Sequence, residues 1–277
     1  MLSLNSMGAA SDLHCHEDLS VFHVDTWRMH QNSEKSSSAD FFYCVLPHLL
    51  ASPVMVGQAQ HKQLLHRVLE QYIVDAKGLF VEFGVYTGTS INIIARRLQA
   101  VGGGRVYGFD SFSGLPSTWQ GGSLLPDFQD LPAGYFRLPQ APRVEHNVRL
   151  MIGLFNETVP RFARGLSAAA IKPNQTFALV HLDADLYHST WEALIVILPL
   201  LTSGCILVID DFLNFPGFLD SALKALGDAL ANQASPQYLE VLAAPFMIYT
   251  PSDLHAASNA RHPHMSDIER AVALRVL

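Results

Sequence analysis

The chain has 277 residues, 49% of them apolar and only 16% charged, with a net charge of −7 and no run of Lys or Arg. That length suffices for one large α/β domain with added elements, and the acidic, unclustered charge argues against a nucleic-acid footprint or a polybasic membrane anchor. Cys15, Cys44 and Cys205 form no C-x-x-C pair, which speaks against a disulfide framework and a zinc ribbon and fits a reducing, cytoplasmic setting.

The first residues, Met1-Leu2-Ser3-Leu4-Asn5-Ser6, lack the basic region and apolar core of a secretory signal. Residues 1–39 carry little periodicity, and Asn32-Ser33-Glu34-Lys35-Ser36-Ser37-Ser38 reads as a linker. His14-Cys15-His16-Glu17-Asp18 has no partner ligands at zinc-finger spacing. Residues 41–75 are helical in character, with His61, Leu64, Leu65, Val68, Leu69 and Tyr72 at three- and four-residue spacing. An alternation then begins: a strand over 78–83, a helix over 89–100 ended by Gly102-Gly103-Gly104, and a strand over 105–110. Residues 111–143, rich in Gly, Pro, Ser and Asp, form a long loop whose Trp119, Phe128, Tyr135 and Phe136 are candidates for a pocket wall or lid. A third strand covers 147–152 and a short helix ends near Arg164. A fourth strand ends at Asp183, a helix covers about 190–201, a fifth strand ends at Asp210, and a helix covers about 219–231. The uncharged stretch from Ala193 to Ile209 is cut by Pro199 and Ser203-Gly204, so it reads as a helix turning into a strand rather than a membrane span. Tyr238–Leu242 and Phe246–Tyr249 are spaced for an antiparallel pair, and Ser266 with Glu269 has capping-box spacing for a helix through Val272.

This pattern predicts an α/β fold: a doubly wound, mostly parallel sheet with an antiparallel edge strand and an N-terminal helical extension. The predicted organisation is an N-terminal segment and helical cap over 1–75, the sheet domain over 76–250, and a tail with a short helix over 251–277.

Two features carry chemistry. Glycines Gly84 and Gly88 straddle the turn after the first strand, where backbone must approach a ligand, and Asp110 ends the second strand, where an ionised acceptor suits a ribose diol. Together they point to an adenosine held across the first two strand tips. The second feature is acidic. Asp183 follows Phe177-Ala178-Leu179-Val180-His181-Leu182, and Asp210-Asp211 follow Ile206-Leu207-Val208-Ile209. Acids at neighbouring strand tips repel unless something positive lies between them, and a hard divalent metal is the expected filler. A helix-capping role for Asp185 and Asp211 is the plainer alternative.

Several segments resemble the macrocin O-methyltransferase family of class I S-adenosylmethionine-dependent methyltransferases. They are Val81-Glu82-Phe83-Gly84-Val85-Tyr86-Thr87-Gly88, Gly108-Phe109-Asp110-Ser111-Phe112-Ser113-Gly114-Leu115-Pro116, His181-Leu182-Asp183-Ala184-Asp185-Leu186-Tyr187-His188 and Ile209-Asp210-Asp211-Phe212. The resemblance covers about residues 60–250. It implies a Rossmann-like, seven-stranded sheet that binds S-adenosylmethionine. Glu82, Gly84, Val85 and Gly88 would face its methionine end, Ser90 its carboxylate, Asp110 its ribose and Ser111 its adenosine. It also implies Mg2+, or Mn2+, at Asp183, Asp210 and Asp211, and methylation of a small-molecule hydroxyl such as that of a natural-product sugar. Asp183 is the candidate general base, with His181 and His188 as competitors. A metal-dependent hydrolase and a catalytically silent nucleoside-binding scaffold are the other functions these residues allow. The expected partner is a small molecule, without nucleic acid or membrane, and a homodimer is compatible with the low charge.

Overall fold

A computed structural model describes residues 21–23, 37–56, 62–119, 130–168, 176–215, 217–234, 238–245, 248 and 270–277. Strand β1 is Val21–His23 and helix α1 is Ser38–Leu50. α1 opens inside the Ser-rich segment because Ser37 and Asp40 form a capping box: Ser37 N donates to Asp40 Oδ2 at 2.7 Å, and Asp40 N donates to Ser37 Oγ at 3.3 Å. Strand β2, Val54–Val56, separates α1 from α2, Gln63–Tyr72. The alternation follows as β3 Leu79–Phe83, α3 Thr89–Ala100, β4 Val106–Asp110, β5 Val148–Ile152, α4 Phe155–Ala168, β6 Phe177–Leu182, α5 Tyr187–Ile197, β7 Ile206–Ile209, α6 Ala222–Ala231, β8 Tyr238–Pro245 and β9 Val272–Val276.

Among the described residues the strands form one sheet, in the order β1-β8-β9-β7-β6-β3-β4-β5, with β2 also paired to β8. The seven longer strands are the expected sheet, and the three-residue β1 and β2 extend it beside β8. The pairs β3–β4, β3–β6, β4–β5 and β6–β7 are parallel. β7 is buried throughout, which is why it reads as a continuous apolar run, and β3 is equally buried with Glu82 as its one polar residue.

The C-terminal residues correct one expectation. Val272 opens a strand rather than closing a helix; residues 266–269 lie outside the described set. β9 runs antiparallel to both neighbours, with Leu207 opposite Leu274 on one side and Val241 opposite Leu274 on the other. Phe246–Tyr249, expected to pair with β8, lies outside the described residues apart from Ile248; β9 lies antiparallel to β8 two places in from the end of the sheet. At the edge itself β1 pairs antiparallel with β8. Val272, Ala273, Leu274 and Val276 are all buried, and Arg275 Nη1 donates to Glu240 Oε2 of the facing strand at 3.0 Å.

Side chains alternate between two cores. Val81, Phe83, Val180, Leu182, Leu207 and Ile209 pack with α1, α5 and α6. Phe80, Leu179 and Val208 pack with α2 and α3. By the same alternation Glu82 and His181 face the α2–α3 side, and they are register partners on β3 and β6.

Leu274→Ala is expected to cost about 2–5 kcal/mol in guanidinium denaturation, as for a buried core leucine. A leucine on an exposed tail would lose no more than about 0.5 kcal/mol.

Candidate active site

The turn after β3 is fixed by sterics and by Asp110. Gly84 has φ +89°, and a Cβ placed there would lie 1.8 Å from the carbonyl oxygen of Asp183, so only glycine lets the β3 and β6 tips meet. Asp110 Oδ2 accepts from Val85 N at 2.9 Å and from Tyr86 N at 2.8 Å, and Oδ1 accepts from Phe112 N at 2.7 Å. The strand-end acid thus organises both the glycine turn and the loop that follows its own strand. Gly88, φ +85°, ends the turn as the cap of α3.

Beneath this turn lies a buried polar network. Glu82 is fully buried; it accepts from Ser90 Oγ at 3.1 Å and meets His181 Nδ1 at 2.8 Å. Burial pushes the Glu82 carboxyl up, and His181 beside it acts in the opposite direction. His181, Asp183 and Asp210 bring one ligand atom each within 4.8 Å of one another.

The acid pair is already met by a cation. Lys62, immediately before α2, donates from Nζ to Asp183 Oδ2 at 2.6 Å and also to Asp210 Oδ2. Burial alone would lower the Lys62 ammonium, but Asp183 and Asp210 outweigh it and hold its pKa well above the ordinary range. Burial likewise acts to raise Asp210, and Lys62 reverses this to bring it down to about 2. Asp211 takes another direction: its Oδ1 accepts from Arg270 Nη1 at 3.2 Å. Burial and then Asp210 push Asp211 up to about 6, against Arg270. Asp185 shares a hydrogen bond with Asp211, and burial followed by Asp211 pushes its carboxyl well above the usual carboxylate range. The three aspartates expected to converge on an ion are therefore divided, two around Lys62 and one beside Arg270.

A cavity of about 390 Å3 opens over the tips of β3, β4, β5 and β6, and neither Asp210 nor Asp211 is among its lining residues. Gly84, Asp110 and Ser111 line one part, and Asp183, Asp185, His188 and Glu192 line another. Of the other residues expected near a cofactor, Glu82, Val85, Gly88 and Ser90 are not among those that line the cavity. Phe136 and Tyr86 line the cavity and stack edge-to-face at 5.1 Å between ring centres, with Tyr135 against Phe136 at 4.8 Å. Trp119 packs instead against Phe215, at 5.7 Å. Phe128 and the 14–18 run lie outside the described residues. Asp185 does not cap α5, whose cap residue is Leu186 without a side-chain bond. Its φ of +57° belongs to a cluster of left-handed non-glycine residues at this site, with Tyr86, Phe112, Phe136, Asp211 and Lys62. Lys62 and Arg270, which pair with the strand-tip acids, and Glu192, which lines the cavity, are not singled out by the sequence pattern. Asp185 had a signal, a second acid two residues beyond the strand-end acid.

A mostly parallel sheet with an inserted antiparallel strand, and a glycine turn and acid at its first two parallel tips, defines a class I methyltransferase fold. The solved structure of a calicheamicin methyltransferase is similar, with a TM-score of 0.50 and 21% identity over 78% of this chain and 90% of that one. The chain belongs to the macrocin-O-methyltransferase (TylF) family, whose model matches residues 15–225. Among curated relatives, a demethyldecarbamoylnovobiocin O-methyltransferase of Streptomyces niveus is 27% identical over 52% of this chain and 56% of its own length. An 8-demethyl-8-(2,3-dimethoxy-alpha-L-rhamnosyl)-tetracenomycin-C 4'-O-methyltransferase of Streptomyces olivaceus is 28% identical over 57% of this chain and 62% of its own. The match thus spans less than two thirds of either relative. No helix among the described residues is long and apolar enough to cross a membrane.

The lowered Asp210 carboxyl carries a stability prediction. Its folded-state value of about 2 lies below the ordinary 3.8, so the stabilisation is present above pH 3.8 and fades as pH falls toward 2. Asp210→Asn is expected to cost about 2–3 kcal/mol in urea unfolding at pH 7, since each tenfold change in proton affinity is worth roughly 1.4 kcal/mol. The gap from wild type should shrink below pH 3.

Proposed function

We propose that the protein is an S-adenosylmethionine-dependent O-methyltransferase that acts on a hydroxyl of a small molecule, with natural-product sugars as the substrate class. The observation that carries this is the continuous cavity running from Gly84, Asp110 and Ser111 to Asp183, Asp185 and His188. The two curated relatives, both named as O-methyltransferases, favour the same class.

The residues fit the cofactor. A carboxylate offers about four lone-pair sites; Asp110 uses three of its own on backbone N–H groups, which leaves one for a ribose hydroxyl. The cavity is within the range of about 300–1,000 Å3 typical of small-ligand sites. In this reading Asp110 and Ser111 hold the nucleoside and Gly84 gives its methionine end room. Glu82, Val85, Gly88 and Ser90 then support the turn from behind. When bound, S-adenosylmethionine supplies a methyl group on an electron-poor sulfonium, and the acidic end of the cavity favours that positive charge.

The acceptor hydroxyl must give up its proton. We assign that proton to Asp185 rather than to Asp183, the acceptor expected from the sequence. Both line the cavity, but Asp183 is engaged by Lys62 through Oδ2, whereas among the described residues no cation forms an ion pair with Asp185. A base must stand within hydrogen-bond reach of the hydroxyl whose proton it takes, and Asp185 lines the cavity that would hold the acceptor. Asp183 then fixes the cavity wall, and His188 and Glu192 are left to contact the acceptor.

Magnesium, or manganese, at Asp183, Asp210 and Asp211 is the finer expectation. As the side chains stand they do not fit it: Lys62 lies between the first two and Arg270 pairs with the third. A metal-dependent hydrolase would require the same acids without Lys62.

Calorimetric titration with S-adenosylhomocysteine tests the cofactor assignment. Wild type should bind it, and Asp110→Ala should weaken binding at least tenfold; absence of binding to wild type rejects the proposal. Asp185→Asn should lower kcat by about 10^2 or more, a typical loss for a general base, with S-adenosylhomocysteine affinity within about threefold of wild type. A larger loss in Asp183→Asn than in Asp185→Asn would return the proton to Asp183.

A further inference from the structure

We infer that Lys62 is the resident counter-ion of the Asp183–Asp210 pair and a built-in competitor of divalent cations for it. The contact is tertiary, joining residues 121 and 148 positions apart in the chain. Only 15% of the Lys62 side chain is exposed, and the acids beside it are 25% and 17% exposed, so bulk solvent does little to screen the charges. The donors that could hold a metal, from His181, Asp183 and Asp210, converge within 4.8 Å, and two of the three already face the ammonium. A magnesium ion seated on the same oxygens at about 2.0–2.1 Å would lie in contact with Nζ, so the two cations are alternative occupants.

The backbone at Lys62 is consistent with a side chain committed inward. The residue has φ +63°, a left-handed conformation unusual outside glycine, and it caps α2 without a side-chain bond to the helix. Nearby charges agree. Glu82 and His181 lie below the pair, and Arg270 is directed to Asp211 rather than to Asp183 or Asp210. Of the described cations, Lys62 is the one in ion-pair contact with Asp183 and Asp210. Metal loading must therefore detach the start of α2 from the tips of β6 and β7. This distinguishes the chain's acid pair from an open carboxylate site and predicts weak divalent binding while Lys62 is present.

The test is binding of Mn2+ alone, followed by electron paramagnetic resonance at neutral pH. Lys62→Met should bind one Mn2+ at least tenfold more tightly than wild type, and adding Asp210→Asn should remove the gain. Equal or weaker affinity in Lys62→Met, or a gain that survives Asp210→Asn, overturns the inference. Wild type provides a second arm that requires no variant to fold. Lys62 should be protected from amine-reactive labelling in chelator and become reactive as Mn2+ saturates the protein. Mn2+ bound at Asp183 and Asp210 with Lys62 still protected overturns it too. The inference concerns the acid pair and not the nucleoside end. S-adenosylhomocysteine affinity measured on the same samples therefore reports separately on the proposed function.

Discussion

The structure depends on neutralising a crowd of carboxylates at two adjacent strand tips. Asp183 and Asp185 follow β6, Asp210 and Asp211 follow β7, and Glu82 lies under them on β3. Parallel strands bring these groups together whether or not their charges suit one another. Two cations answer them from positions far apart in the chain: Lys62 before α2 and Arg270 before β9. The same compensation fastens the start of α2 and the start of β9 to the strand tips. Arg270 also accepts through its carbonyl oxygen from the N–H groups of Phe212 and Leu213, each at 3.1 Å. The charge problem of the site and the closure of the fold therefore share one solution.

Period-two alternation decides which acid does what. Glu82 and His181 lie on the α2–α3 face because Phe80 and Leu179 do, and Asp210 follows Val208 onto that side. Lys62 comes from the helix that covers this face. Asp211, the next residue, has φ +46° and meets Arg270 instead. Adjacent aspartates in sequence thus acquire different partners and move in opposite directions, Asp210 falling to about 2 and Asp211 rising to about 6. At the other end of the cavity Asp110 has a structural duty, bonding the turn of Val85 and Tyr86, in addition to the face it turns to the cavity.

Much of this was legible in the sequence. Buried parallel strands announce themselves as apolar runs, so β3, β4, β6 and β7 fell within a residue or two of their predicted places, with Gly84, Asp110, Asp183 and Asp210 at their tips. The C-terminal strand was not legible. Ser266 and Glu269 mimic a helix start, and Ala271-Val272-Ala273-Leu274 suits a helix as well as a strand; only the slot between β7 and β8 decides. Glu82 and Ser90 look like ligand contacts because they flank a glycine turn, yet they bond one another below it. Lys62 gave no signal at all: its partners are brought to it by the fold over long sequence separations, and a lone lysine in an amphipathic helical segment reads as a solvated residue.

The Lys62 ammonium, not solvent or an ion, neutralises Asp183 and Asp210. The most direct test is a 1H–15N correlation spectrum of the side-chain amines in protein labelled with 15N-lysine, recorded in chelator and assigned with Lys62→Arg. An ammonium held between two carboxylates exchanges slowly with water, so a resolved Nζ signal is expected from Lys62. If Lys62 gives no resolved signal, and exchanges as fast as the exposed lysines, its ammonium is solvated and the account fails.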